Sequence, residues 1–421
     1  REPGIFMVRI FRFAAVRPGR DAAPQVAAVP YDVVTTDEAR AVITDNPMSF
    51  LRISRPDAEL PDIPPTDSRV YSHARERFTA LRSSGVFSRD ADPGMYVYRV
   101  IAPAGTFTGL CCCLHVDDYE SGVIRRHEQT RYDKEEDRTR HIDAVNAHTG
   151  PVVLIYRDSA GLSRHIASLA SGHPDAEICW QDGSLHQVFR ISDAGVLALL
   201  EKEFSLVERL YIADGHHRAK SAVNVAKRRR AAGEEIGEAD RFMGVLFADS
   251  GVRIHGYSRL VRDLGGRTAG EFMQEISRQC SVRPYGPVNH GAYQIQPRTN
   301  RPHIFHLYLD RAWYECTLPG TASSDLIGSL DVSLLQQQVL ERILGISDPR
   351  GDARLQYLGG ARPVADLEAM VDRGDYAVAF SMQPVRVETV LSIADADGIM
   401  PPKSTWFEPK LLSGLLIHSL S

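Results

Sequence analysis

Leu210-Tyr211-Ile212-Ala213-Asp214-Gly215-His216-His217-Arg218 is the stretch on which the fold of this chain turns. Four apolar residues are too few for a helix and suit a buried strand. Asp214-Gly215 breaks the run, and Ala219 to Ala232 then reads as a helix closed by Gly233. Strand, tight turn and helix in that order predict a mixed α/β architecture. A helix N-terminus offers unpaired N–H groups and the positive end of its dipole to an anion. Gly215 lets a ligand approach the backbone. His216, His217 and Arg218 add donors, and arginine can grip a phosphate with two parallel bonds. Asp214, the one acid there, is placed to hold Mg²⁺ or to orient a histidine. The plainer reading is an aspartate cap with two surface histidines, which leaves the arginine behind them unexplained.

Upstream, Arg125 to Asn146 is dense in charge and shows no apolar face, the pattern of a solvated, salt-bridged helix. It also holds a candidate base. Glu128 stands among Arg126, His127 and Arg131, where a carboxylate stays ionised and can accept a proton from a hydroxyl. Lys134 and Arg138 are candidates to neutralise polyphosphate oxygens. Zinc fits poorly, because adjacent histidines do not easily both reach one metal and no H-E-x-x-H helix exists. Met400 to Lys410, with Trp406, Phe407 and three prolines, reads as a fixed loop presenting Lys403, Ser404 and Lys410 to a phosphate or carboxylate. Lys227 to Arg230 lies in the last turns of its helix, where cations favour the dipole.

Around these motifs the chain alternates. Strands are expected over 1–12, 11–16, 49–54 and 151–156, over 242–248 as one run, and over 253–260 as another. Hairpins are expected at 95–116 and 302–318, and helices at 39–44, 71–84, 268–279 and 326–344. Cys111-Cys112-Cys113 reads as small buried strand residues.

The 421 residues allow two or three domains. With 43% hydrophobic and 24% charged residues they can bury a core. The net charge of −5 offers nucleic acid and anionic membranes no global attraction. No apolar run approaches the ~20 residues of a membrane span. Six cysteines without a C-x-x-C pair, and an N-terminus unlike a signal peptide, point to a reducing, cytoplasmic setting.

Five ordered motifs carry a resemblance: Pro30-Tyr31-Asp32-Val33-Val34, Asn46-Pro47-x-Ser49-Phe50-Leu51, Arg126-His127-Glu128-x-Thr130, Asp214 to Arg218, and Pro401-Pro402-Lys403-Ser404-Thr405-x-Phe407. Over nearly the whole chain they resemble a large bacterial family labelled as a domain of unknown function, some members of which are called SpoOJ/ParB-like. That family is similar to the ParB/sulfiredoxin superfamily, which includes kinases that phosphorylate free L-serine using ADP or ATP.

The resemblance implies a ParB/sulfiredoxin-like core at 121–265, between α/β segments at 1–120 and 266–421. It implies His127, Glu128, Asp214 and His217 as catalytic residues. Gly215, His216, His217, Arg218, Arg126, Thr130, Lys134, Arg138, Lys403 and Ser404 would bind nucleotide or phosphate. Tyr31 and Asp32 would meet the substrate, and Asp214 would hold Mg²⁺. The expected partners are ATP or ADP and a small hydroxyl compound, without membrane or nucleic acid; a homodimer is left open. A ParB-like, nucleotide-dependent DNA-binding protein is the alternative. The offset of 86 positions from Glu128 to Asp214 exceeds the spacing in the compact kinases, which puts the substrate pocket in question.

Overall fold

A computed structural model describes residues 7–158, 161–320, 325–359 and 362–421. The architecture is mixed α/β in two compact units. Unit 1 comprises 1–252 together with 409–421, and unit 2 comprises 253–408. The expected boundary between 120 and 121 is crossed by the main sheet of unit 1, and the chain's last residues return to that unit.

The sheet of unit 1 runs, in spatial order, Ile124–Arg125, Leu210–Asp214, Val152–Tyr156, Arg241–Ala248, Gly105–His115, Met95–Ala102, Leu185–Ile191 and Ala176–Cys179; Ile10–Phe11 pairs on Gly105–His115 off this path. Two pairs are parallel: Ile124–Arg125 on Leu210–Asp214, and Val152–Tyr156 on Arg241–Ala248. Strands covered on both faces read as continuous apolar runs, and Val152–Tyr156 is buried at all five positions. Cys111, Cys112 and Cys113 are likewise fully buried on a central strand, and burial pushes their thiols up.

The charged stretch differs from its expected solvated form. Tyr132–Val145 is a helix that buries Arg138, Thr139, His141, Ile142 and Val145. It packs on the helix that follows the motif, His216–Ala232, and on Ser68–Ser83. Its charges are tolerated because they are paired. Arg228 binds Glu136, and Arg229 binds Asp143 at 3.0 Å. Lys227 reaches Glu120 at 2.6 Å and Arg230 reaches Asp117 at 2.7 Å, so the basic run is matched acid for cation.

Other expectations give way to local physics. Ser49 to Ser54 is a one-turn helix, Leu51–Ser54, rather than a strand. Asn46 and Ser49 accept the N–H groups of Met48 and Leu51 and start a turn, which overrides the strand-like apolar–polar alternation of Leu51-Arg52-Ile53-Ser54. The run 253–260 splits at Gly256 into Arg253–His255 and Ser258–Val261, which join different sheets; a Cβ at Gly256 would strike the Met382 carbonyl. The expected strand over 11–16 becomes Ile10–Phe11 and Val16–Pro18 in separate sheets, and residues 1–6 lie outside the described residues. Asp331–Leu335 continues into a π-turn at Gln336–Glu341. Both expected hairpins form, as Met95–Ala102 with Gly105–His115 and Ile304–Leu309 with Ala312–Thr317.

Unit 2 is a six-stranded antiparallel sheet with its own core. Its first and last strands, Arg253–His255 and Trp406–Glu408, pair with each other, so its ends close on themselves. The chain then re-enters unit 1. Leu412 donates its N–H to the Tyr98 hydroxyl at 3.1 Å, Ser413 exchanges backbone bonds with Ala28, and His418–Ser419 pairs with Ala147–His148. Gly414 makes this path possible, with φ +87° and its Cα against Phe50; a Cβ would lie 2.8 Å from that ring's carbons. Gly414→Ala should therefore cost roughly 1–3 kcal/mol through backbone strain alone. Urea unfolding checks this, and an unchanged midpoint would show that the tail is not docked as described.

Candidate functional site

Parallel pairing builds the site. Ile124 lies opposite Leu210 and Arg125 opposite Tyr211, so both strands end at the same edge. One continues into Arg126-His127-Glu128 and the other into Asp214-Gly215-His216. The match persists beyond the strands. The Arg131 N–H donates to His217 Nε2 at 3.1 Å, the Ser221 hydroxyl to the Glu135 carbonyl at 3.0 Å, and Arg229 to Asp143, each pair 86 residues apart. Two strand–loop–helix segments thus run side by side in register, and Glu128 meets the turn despite its distance in sequence.

At the turn Gly215 is the N-cap of His216–Ala232 with φ +92° and no side-chain cap, which leaves first-turn N–H groups to a ligand. A Cβ on Gly215 would fall 2.9 Å from Arg218 Nε, so only glycine admits that guanidinium beside the backbone. Arg218 donates through Nη1 to the Pro151 carbonyl at 2.7 Å and lies 3.5 Å from Asp214. Its Nε and Nη2 are buried without a hydrogen-bond acceptor. Burial opposes its charge, but Asp214, Asp32 and Tyr31 raise its pKa overall.

Asp214 pairs with Lys410 at 3.1 Å as well as with Arg218. Burial opposes its ionisation, yet Lys410 and Arg218 outweigh that and hold the carboxyl well below the usual range. Lys410 is a candidate whose place at the turn, against Asp214, the sequence does not give. It was visible only as one of three polar side chains on a proline-rich loop, and nothing in the spacing pairs it with Asp214.

His216 Nδ1 sits 3.6 Å from a Glu128 oxygen. The His127 and His216 rings meet edge to face at 4.7 Å. Burial depresses both, each to about 3, so both are neutral at pH 7. His217 is also depressed by burial. Because its Nε2 accepts the Arg131 N–H, its proton sits on Nδ1. Arg218 and Lys410 are therefore cations at the turn, and the histidines are neutral donors and acceptors.

The remaining candidates divide. Arg126 donates to the Tyr119 hydroxyl at 3.2 Å and bears electrostatically on His216. Tyr31 and Asp32 lie close enough to influence Arg218, and burial pushes the Tyr31 hydroxyl up to about 12. The Thr130 hydroxyl is spent on Glu135. Lys134 is exposed and felt by His217. Arg138 is buried, with its guanidinium committed to Asp137, the Ser54 carbonyl and the face of Tyr31. Lys403 and Ser404 belong to unit 2, where Lys403 lies over the Tyr257 ring and the Ser404 hydroxyl bonds the Pro401 carbonyl. Among the described residues no group of three or more His, Cys, Asp or Glu is placed to hold a metal, and no helix is long and apolar enough to cross a membrane.

Residues 10–333 match the family model described as "Protein of unknown function (DUF1015)". The chain belongs to that family. Among solved structures this DUF1015 protein is similar to a conserved hypothetical protein from Pyrococcus furiosus, at 13% identity and TM-score 0.35 over 73% of this chain and 94% of the other. It is similar to a free serine kinase in complex with AMP at 12% identity and TM-score 0.34, over 70% and 86%. SbnI with C-terminal truncation from Staphylococcus aureus gives 12% and 0.34, over 73% and 87%. No curated protein matches. At these scores the likenesses are too distant to carry an activity across.

The buried imidazoles set an acid sensitivity. A histidine depressed from about 6.5 to about 3 stays neutral in the fold while the unfolded chain binds a proton, so its contribution is complete above about pH 6.5 and falls as pH drops toward 3. His216→Gln should flatten the slope of unfolding free energy between about pH 6 and 4 by up to ~1.4 kcal/mol per pH unit. Urea titrations at fixed pH measure it, and an unaltered slope would mean that His216 is not held neutral.

Proposed function

We propose that this DUF1015 protein is a nucleotide-dependent small-molecule kinase that transfers a phosphoryl group from ATP or ADP to a free hydroxyl, with L-serine or a related alcohol as acceptor. One observation carries the reading: a carboxylate, Glu128, stands beside an uncapped helix N-terminus furnished with Arg218. A base for a hydroxyl and a cradle for phosphate are the two parts phosphoryl transfer requires.

In this reading Glu128 accepts the acceptor's hydroxyl proton as its oxygen bonds to the terminal phosphorus. The bond from that phosphorus to the nucleotide's bridging oxygen breaks, and the nucleotide leaves one phosphate shorter. First-turn N–H groups and the Arg218 guanidinium, whose Nε has no hydrogen-bond acceptor and whose Nη2 faces only Asp214, donate to the phosphate oxygens. Neutral His216, 3.6 Å from Glu128, orients the base without adding a cation that would weaken its basicity. Lys410, paired with Asp214 at 3.1 Å, places a second cation beside the turn, where its charge would also bear on the transferred group.

Asp214 and the more open Glu128 are the carboxylates that would hold a Mg²⁺ ion brought with the nucleotide, since such an ion needs only one or two of them beside phosphate and water. At Asp214 the ion would share the carboxylate with Lys410 and Arg218, which pair with it through Oδ2. Bound there, it would neutralise charge on the phosphate oxygens.

Incubating the protein with Mg²⁺, ATP or ADP and a pool of hydroxyl amino acids and small alcohols should yield a monoester visible by phosphorus NMR. Glu128→Gln should then lower turnover ~10²–10⁴-fold while leaving nucleotide affinity nearly intact. Arg218→Ala should weaken both, since a charge-assisted contact of roughly 1.5–3 kcal/mol is lost with and without chemistry. Wild-type turnover in Glu128→Gln would move the base elsewhere, with Asp32 the next candidate.

A further inference from the structure

Unit 2 holds a cation that its own fold does not neutralise. Arg259, on the strand Ser258–Val261, is 4% exposed. Its guanidinium donates to the Tyr257 carbonyl and stacks 5.2 Å from the centre of the Tyr357 ring. Neither neighbour is an acid, and among the described residues no carboxylate pairs with it. Buried charges are normally paired, because desolvation costs several kcal/mol that only a counter-ion returns. Burial pulls this arginine down to about 10, which marks the cost without removing the charge.

A second cation approaches the same tyrosine. Lys403, in the Pro401-Pro402-Lys403-Ser404-Thr405 motif, is exposed and lies 5.4 Å over the Tyr257 ring. It too lacks an acid partner among the described residues. Its backbone is left-handed at φ +54°, a conformation that costs a lysine energy and persists only where its surroundings impose it. Trp406 packs edge to face on Tyr257 at 5.6 Å and lies against Gly359, where a Cβ would displace the indole. Tyr257 thus touches one buried and one exposed cation, both without counter-ions, in a setting made rigid by an indole.

We propose that unit 2 carries a binding site for a phosphate-class anion, with Lys403 and Arg259 as its cations and Tyr257 and Trp406 as its aromatic wall. Two unpaired positive charges match a phosphate, which carries about −1.5 to −2 at neutral pH, better than a single carboxylate. Arginine supplies the fixed fork and lysine the mobile point charge. The site stands on unit 2 alone and does not depend on the activity proposed for unit 1.

Thermal unfolding of the full chain in inorganic phosphate, at constant ionic strength, tests it. The turn of unit 1 is also offered to phosphate, so the titration is run in Arg218→Ala. A saturable rise in Tm should survive in that background. Adding Lys403→Gln should weaken the apparent affinity about tenfold or more, as befits a lost charge-assisted contact. Adding Arg259→Met should abolish the rise while leaving the phosphate-free Tm unchanged or higher, because an uncompensated buried charge has been replaced by an apolar chain. Loss of the rise in Arg218→Ala alone overturns the site, as does its persistence in both Lys403→Gln and Arg259→Met. An equal rise with acetate overturns the phosphate assignment. Should Arg259→Met not fold, the exposed Lys403→Gln still decides. A chain that shows the rise but transfers no phosphoryl group loses the kinase reading and keeps this one.

Discussion

The parallel pairing of Ile124–Arg125 with Leu210–Asp214 is the constraint on which the site depends. Parallel strands end at the same edge of a sheet, and ligands in α/β sheets gather where strand ends release the chain. Here the partnership extends through two loops and along two helices without a slip, and the offset of 86 residues holds from Arg131–His217 to Asp143–Arg229. A one-residue insertion in either loop would break that register and carry Glu128 away from His216. The long interval between the motifs is therefore accommodated by a sheet: the chain leaves the edge, adds Val152–Tyr156 and, at the far edge, Ala176–Cys179 and Leu185–Ile191, and returns beside its starting point.

Electrostatically, the turn separates charge from hydrogen bonding. Three histidines look like a positive cluster in the sequence, but burial keeps them neutral. Positive charge comes from Arg218 and Lys410, each held against Asp214. In the reaction proposed above, an imidazolium beside Glu128 would make that carboxylate a poorer base, a penalty that a neutral imidazole avoids. The cation that completes this balance arrives on the C-terminal tail, which is tied into unit 1 through Tyr98, Ala28 and the strand pair at His148 and His418.

Unit 2 closes on its own first and last strands, which lets it interrupt unit 1 at Val252 and return the chain at Pro409 without disturbing the sheet. Its cation-rich corner around Tyr257 lies where the first strand of that closing pair gives way to Ser258–Val261, and is completed by the loop preceding the second. The Pro-Pro-Lys-Ser-Thr motif is in this sense a feature of how unit 2 ends, with a lysine held in an unfavourable backbone conformation where the chain turns back.

Local patterns determined a good deal by themselves. The strand, turn and helix around Asp214 to Arg218 follow from a short apolar run, a glycine and a helical stretch ended by Gly233, and the capping box at Thr268 and Glu271 marks its helix as plainly. The buried cysteine strand and both hairpins were equally legible, because alternation and turn residues are local signals. What only the tertiary structure decided is everything that depends on a partner. The charged helix seemed solvated because two of its acids, Glu136 and Asp143, are matched by Arg228 and Arg229 on another helix, and sequence does not show who pairs with whom. Leu51–Ser54 seemed a strand because Leu51-Arg52-Ile53-Ser54 alternates apolar and polar residues, a strand's period that one turn of helix is too short to contradict. Lys410 reaches Asp214 across 196 residues, and Arg138 turned inward to Ser54 and Tyr31 where charge alone pointed outward. Secondary structure is set by neighbours along the chain, whereas the charge, protonation and direction of a side chain are set by neighbours in space.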